Sequence, residues 1–338
     1  MKTKYWSNIC LLCATTFTSI SFAAEQYTLR MSHPWPATSD INQGLTEWAN
    51  SLENASNQQI KVEIFPSQTL TKSANSYQAV VHHIADITAT VQGYTANRFP
   101  LTQIIELPEL VETAAQGSCV IQKLYDEGAI KQEYEDTHVL FVYTNGPGQI
   151  HMKNKQAVMP EDFTGQRIRR PTVVVGNLLT SLGAQPTGLP APDAYEALEK
   201  DIIDGVAISW DGAKVFRLSE IAPYHTQLNL YSLSFVVTMN KQKYQSLPDN
   251  LKKIIDDHSG EQWSQHMAKV FDSLDQQAIN EAKERNDHLV QPDEKVLAAW
   301  KPKLQEATDQ YIEELEQKGL PAKQVYQRAL ELKNECVI

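Results

Sequence analysis

The residues with the clearest chemical potential lie between Thr144 and Asp211. Foremost is Arg169, within the run Arg167-Ile168-Arg169-Arg170-Pro171. A guanidinium offers a planar fork of N–H donors that matches a carboxylate in two parallel hydrogen bonds. Each charge-assisted bond contributes roughly 1.5–3 kcal/mol, and micromolar affinity needs only about 8 kcal/mol in total. One desolvated arginine can therefore supply much of the affinity for a small organic acid. The alternative is a surface arginine in a salt bridge worth little, and spacing alone leaves both open. Other chemistries find weaker support. His82-His83 with Asp86 has helical metal-ligand spacing, but adjacent histidines point to different faces, so a solvated helix is favoured. Gly146-Pro147-Gly148 lacks the third glycine and helix start of a dinucleotide fingerprint. No Gly-x-Ser-x-Gly elbow or His-Glu-x-x-His occurs, and no nucleophile–base pair stands out. The sequence is therefore read as that of a binding protein, not an enzyme, with no cofactor and no metal.

The elements that must position Arg169 follow from periodicity. Gln26–His33 alternates like a strand and ends at His33-Pro34-Trp35-Pro36, which cannot continue a ladder. Ser39 or Asp40 caps a helix expected over 41–54, with Leu45, Trp48, Ala49 and Leu52 on one face. A strand at 60–65, a helix at 73–85 and a short buried strand at 87–91 complete an alternation that predicts a mostly parallel sheet. A helix over 115–134 and a strand at 139–143 lead to Asn145-Gly146-Pro147-Gly148, the expected first crossing to a second lobe. That lobe holds strands at 149–152, 166–170 and 206–209 and helices after Pro171 and over 191–200. The segment 231–239 carries the chain back, and long helices follow at 249–287, 293–318 and 322–333. The fold class is α/β: two lobes with hinge crossings and long C-terminal scaffold helices. Lobe I is assigned to 25–145 and 235–272, and lobe II to 146–234 and 273–338.

Ligands in such open sheets sit beyond the carboxyl ends of the strands. This rule nominates His33, Trp35 and Ser39 after the first strand, and Gln92 and Tyr94 after the third. It also nominates Ser209, Trp210 and Asp211 after the strand at 206–209, with Gln149 and Phe235 on the two crossing strands. Trp210 and Phe235 would enclose an apolar ligand body. For each aromatic, a place in the lobe core is the competing reading.

The chain has 338 residues, enough for two lobes with their own cores, with 42% hydrophobic and 21% charged residues. Its formal charge is −11, and no dense basic block occurs beyond Arg167–Arg170, so nucleic acid and anionic membranes are poor partners. Residues 1–24 carry a basic start, an apolar middle from Ile9 to Phe22 and small residues at Ser21, Ala23 and Ala24, the pattern of a secretory signal peptide. Its removal takes the charge to −13, through loss of Lys2 and Lys4. Export places Cys119 and Cys336 in an oxidising compartment where they can pair, although nothing in the sequence brings them together.

The chain resembles the solute-binding proteins of tripartite ATP-independent periplasmic (TRAP) transporters, the DctP type, over nearly its whole length after residue 24. The resemblance rests on Gly165-Gln-Arg-Ile-Arg-Arg-Pro171, Leu182-Gly-Ala-Gln-Pro186, Tyr195-Glu-Ala-Leu-Glu-Lys-Asp-Ile-Ile-Asp-Gly205, and Met239-Asn240 with Leu247-Pro248, in that order. It implies a periplasmic-binding-protein-like (type II) fold and a periplasmic carrier that hands a small organic acid to membrane permease subunits; a monomer is the simplest expectation for its oligomeric state. It also implies that Arg169 pairs with the ligand carboxylate. Family members with a bound sugar acid often carry another arginine near the position of Gln149, and this chain departs from that pattern. The expected ligand is therefore a monocarboxylate or sulfonate, aromatic ones included, with a dicarboxylate or sugar acid as the alternative. On this reading Arg169→Ala should abolish acid binding and leave the fold intact.

Overall fold

The computed structural model describes residues 25–337; the signal peptide assigned to 1–24 lies outside the described residues. Eleven strands are described. They are β1 (Tyr27–Ser32), β2 (Ile60–Phe65), β3 (Ile87–Val91), β4 (Thr137–Thr144), β5 (Gly148–Met152), β6 (Arg167–Arg170), β7 (Gln185–Gly188), β8 (Gly205–Ser209), β9 (Tyr224–Thr226), β10 (Ser234–Asn240) and β11 (His288–Val290). They form two sheets, one ordered β2-β1-β3-β10-β4 and the other β11-β9-β5-β8-β6-β7.

In the first sheet β1 lies parallel to both β2 and β3, each reached through a helical connection as parallel neighbours require. Every residue of β3 and β10 is buried, which explains why both read as apolar runs rather than alternations. Strand β10 enters antiparallel between β3 and β4, so it belongs to the first sheet although it follows the second in the chain. In the second sheet β6 lies parallel to β7 and β8, and β5 pairs antiparallel with β8 and β9.

Three segments cross between the sheets. The first runs from β4 into β5 through Asn145-Gly146-Pro147, and the second returns from β9 to β10. The two run so close together that Gly148 N–H donates to Tyr231 O at 2.6 Å, and a Cβ at Gly148 would collide with the Tyr231 ring. The third is the helix Glu261–Glu284. Its early turns pack on the helices Asp40–Ala55 and Ala114–Asp126 and on β4, and its later turns pack on the helix Trp210–Val215. It braces both lobes.

Several expected elements differ from the observed ones. The helix expected over 249–287 is two, Asp249–Asp257 and Glu261–Glu284, because Gly260 takes a left-handed φ of +75° and its N–H bonds Leu140 O at 2.7 Å. The helix expected over 73–85 shrinks to Ser76–Val81, since His83 turns left-handed (φ +58°) and its ring bonds Asp86 at 2.8 Å. Strands β7, β9 and β11 have no counterpart in the expectation: they are short and partly exposed, and their pattern carries little signal. The assignment of 273–338 to the second lobe needs correction for its last helix. Ala322–Glu335 packs on the helix Ala114–Asp126 of the first lobe, and Cys336 is disulfide-bonded to Cys119 there.

Candidate ligand-binding site

The carboxyl ends of β1, β3, β6 and β8 and the start of β10 converge on one cleft between the lobes. The free space left in it is small, about 30 Å³. The first lobe contributes Pro34, Trp35, Val91 and Tyr94, and the crossing segments contribute Asn145, Leu233 and Phe235. The second lobe contributes Arg169, Ala191, Pro192, Ile208, Ser209, Asp211, Gly212 and Phe216.

Arg169 is fully buried at the end of β6. Its Nε donates to Leu189 O at 2.8 Å, Nη1 to Ala207 O at 3.0 Å and Nη2 to Tyr94 Oη at a long 3.3 Å. A guanidinium has five N–H groups. With three engaged, one remains on each of Nη1 and Nη2, the pair that grips a carboxylate end-on. Arg169 is the only cation among the described residues lining the cleft. Its neighbours are spent otherwise: Arg167, at the far end of β6, pairs with Asp204, and Arg170 packs against Gly176 and Gly188.

Tyr94 reaches across from the first lobe. Its hydroxyl oxygen accepts from Arg169 Nη2 and from Ala191 N–H at 3.0 Å, so its own proton is free to point at an acid oxygen. A second contact between lobes lies beside it. Gly93 faces Thr172 so closely that any Cβ there would strike the threonine side chain.

One side of the cleft is apolar and aromatic. Trp35 and Phe235 lie 5.9 Å apart, with Tyr143 stacked on Phe235 at 5.1 Å and Phe271 behind both. At the other side Asn145 is a hub. Its Nδ2 donates to Ser209 Oγ at 2.8 Å while its Oδ1 accepts from Leu233 N–H at 2.8 Å, so one side chain joins both crossings to the end of β8. Next to it Asp211 is buried, and its backbone N–H donates to Asp275 Oδ1 at 2.6 Å. Burial pushes the Asp211 carboxyl up to about 6, and burial together with the charge of Asp211 pushes Asp275 well above the usual carboxylate range. The two titrate as a pair. Behind the cleft, burial raises Glu106 to about 7, although it accepts from Ser234 Oγ at 2.9 Å and Gln103 Nε2 at 3.1 Å.

Six of the residues nominated from sequence thus meet at one cleft: Arg169, Trp35, Tyr94, Ser209, Asp211 and Phe235. Five do not line it. Gln149 spends its amide on the second crossing, donating to Asn229 Oδ1 at 2.6 Å and accepting from Asn229 N–H at 2.9 Å. Trp210 turns into the second lobe, edge-on to His151 at 4.9 Å and beside Ala278 and Ala282, because it opens a helix whose first residue faces the core. His33 bonds Asn42 at 3.0 Å, Ser39 caps the helix Asp40–Ala55, and Gln92 donates to Tyr134 inside the first lobe. Each of these five side chains is held away from the cleft by the partner named. Sequence reasoning missed Asn145, whose turn was identified but whose side chain was not considered, and the Ala191-Pro192 and Leu233 walls, which carry no polar signal.

Residues 31–315 match the family model described as bacterial extracellular solute-binding protein, family 7. The chain is 23% identical over 312 residues to the C4-dicarboxylate-binding periplasmic protein DctP of Rhodobacter capsulatus, covering 88% of this chain and 90% of that one. Among solved structures it is similar to a marine-metagenome TRAP solute-binding protein specific for aromatic acid ligands, in complex with 3-hydroxybenzoate. The TM-score is 0.89 at 30% identity, covering 93% of this chain and all of the other. It is equally similar to a TRAP solute-binding protein of Rhodoferax ferrireducens in complex with copurified benzoate, with a TM-score of 0.88 at 30% identity over 92% of this chain and 98% of that one.

Proposed function

This chain belongs to family 7 of the bacterial extracellular solute-binding proteins, the solute-binding proteins of TRAP transporters, and on that basis we propose that it captures an aromatic monocarboxylate in the periplasm for a membrane permease. The observation that carries the reading is a single buried guanidinium, with one free N–H on each terminal nitrogen, in a cleft whose other walls are mostly aromatic and apolar, with Asn145, Ser209 and Asp211 at one side. Arg169 takes the carboxylate in a bidentate grip, and Tyr94 adds a hydroxyl donor from the opposite lobe. Trp35 and Phe235 cover the ring. A second carboxylate would find no second cation, which sets this site apart from one built for dicarboxylates.

Capture proceeds by closure. The ligand touches Arg169 on one lobe and Trp35 and Tyr94 on the other, so its binding free energy favours the closed arrangement. Asn145, Gly148 and Tyr231 form the flexing region, and the helix Glu261–Glu284 limits the swing. The periplasmic address rests on the leader expected from sequence at 1–24 and on the family, and retention without chemical turnover rests on the family.

The reading is tested by thermal unfolding with benzoate, succinate and glucuronate. A ligand at a hundred times its dissociation constant adds about 2.7 kcal/mol of stability. Benzoate should raise the unfolding temperature, and stabilisation by succinate or glucuronate without benzoate would overturn the assignment.

A further inference from the structure

Glu106 ends the short helix Thr102–Glu106 and is wholly buried behind the cleft. Its Oε1 accepts from Ser234 Oγ at 2.9 Å and, at a long 3.4 Å, from Ser234 N–H, while Oε2 accepts from Gln103 Nε2 at 3.1 Å. The Thr172 hydroxyl faces it from the second lobe and does not cap the helix Val173–Ser181 that follows. Among the described residues all of these partners are uncharged. The ionisable groups around it are Tyr231 on the second crossing and Tyr311 on the helix Glu294–Gln317, both pushed up by burial and further by the charge of Glu106. Glu133 bonds the start of the same short helix, accepting from Leu101 N–H at 2.7 Å and Thr102 N–H at 2.8 Å. A buried carboxyl without a cation is held toward its neutral form.

Each partner of Glu106 adjoins the capture machinery. Ser234 stands between Leu233 and Phe235 of the cleft wall, and Thr172 follows Arg169 by three residues. Gln103 Nε2 lies where a Cβ at Gly93 would meet it, next to Tyr94. The carboxyl is therefore sealed by both lobes together, and withdrawal of Thr172 with the second lobe admits water to it. Closure desolvates an acid. The arriving anion also neutralises Arg169, whose charge acts on the same Tyr231 hydroxyl as that of Glu106. Both effects favour the neutral carboxyl. The contact across the seam survives protonation, because a hydroxyl donates to a carboxylate or accepts from a carboxylic acid.

We propose that Glu106 is a proton-binding site coupled to capture: closure on the organic anion takes up a proton there, so the anion binds more tightly as pH falls. The proposal rests on the capture reading above. In the closed protein burial raises Glu106 from 4.5 to about 7, and opening returns it toward the lower value. The added affinity is thus fully present below the open-state value and is lost as pH rises through the closed-state value.

Calorimetric titration of the whole protein after residue 24 with benzoate, at pH 6 in two buffers of different ionisation enthalpy, counts the protons taken up. The wild-type protein should take up roughly half a proton or more per benzoate, and should bind it about tenfold more tightly at pH 6 than at pH 8. Glu106→Gln keeps an acceptor for Ser234 but has no titrating proton, and should lose most of both effects. Asp211→Asn is the reciprocal control and should keep the uptake. Benzoate binding without proton uptake in the wild-type protein overturns this proposal alone, whether or not the variants fold. Uptake undiminished in Glu106→Gln, or abolished in Asp211→Asn, assigns the proton to the Asp211–Asp275 pair and also overturns it. Absence of benzoate binding at either pH overturns the capture reading together with this proposal.

Discussion

Replacing Arg169 by lysine separates the fork from the charge. Lysine keeps a cation at the end of β6 but has one nitrogen where the guanidinium has three. Arg169 now holds two backbone carbonyls, Leu189 O and Ala207 O, while presenting one free N–H on each of Nη1 and Nη2 to the ligand. A single ammonium cannot reach both carbonyls and also hold a carboxylate in two bonds. Loss of two charge-assisted bonds costs roughly 3–6 kcal/mol, a hundred- to ten-thousand-fold in affinity. The fold is affected as well. At least one carbonyl is left buried without a donor, at about 1–3 kcal/mol, and the unfolding temperature should drop by a few degrees. This revises the expectation from sequence that Arg169→Ala would leave folding intact, because the alanine variant orphans both carbonyls. The assays are calorimetric titration with benzoate and thermal unfolding of the ligand-free protein. An Arg169→Lys variant that binds benzoate within twofold of wild type would refute the fork argument, and an unchanged unfolding temperature would refute the role of the two carbonyls.

Gly93→Ala should hold the lobes apart, because the added methyl meets Thr172 on the facing lobe and Gln103 Nε2 at 2.9 Å. Benzoate affinity should fall at least tenfold with ligand-free stability unchanged, as titration and thermal unfolding would show, and Thr172→Ala in the same chain should restore part of the loss. Stability should decline as pH rises from about 4 to 7. Glu106 (raised from 4.5 to about 7) and Asp211 (raised from 3.8 to about 6) keep protons in the folded state that the unfolded chain has released. The Glu106 share is about 3 kcal/mol, present below its unfolded value and lost as pH passes 7; Glu106→Gln should flatten that part of the profile in urea unfolding across pH. Cys336→Ser opens a link between residues separated by 217 positions. The chain-entropy estimate is about 5 kcal/mol, read as a lower urea midpoint and as earlier proteolysis within the helix Ala322–Glu335.

Much of the fold was legible because its signals are local. Strand–helix alternation predicts the parallel part of the first sheet, Ser39 and Asp40 mark a helix start, and Asn145-Gly146-Pro147-Gly148 marks the first crossing. The Arg169 motif and the order of the flanking fragments carry the family, which the comparisons bear out. Short strands such as β9 and β11 stayed hidden because three residues have no period to read. The break at Gly260 stayed hidden because its left-handed turn is stabilised by Leu140, which lies 120 residues away. The same division holds at the cleft. The sequence by itself determined which strand ends border the cleft, since alternation and breakers are encoded within a few residues. Only the tertiary structure decided which side chains at those ends enter the cleft. Trp210 turns inward to meet His151, Gln149 is claimed by Asn229, and Cys336 finds Cys119 across the molecule. Each outcome depends on a partner distant in the chain, and packing rather than local propensity selects it.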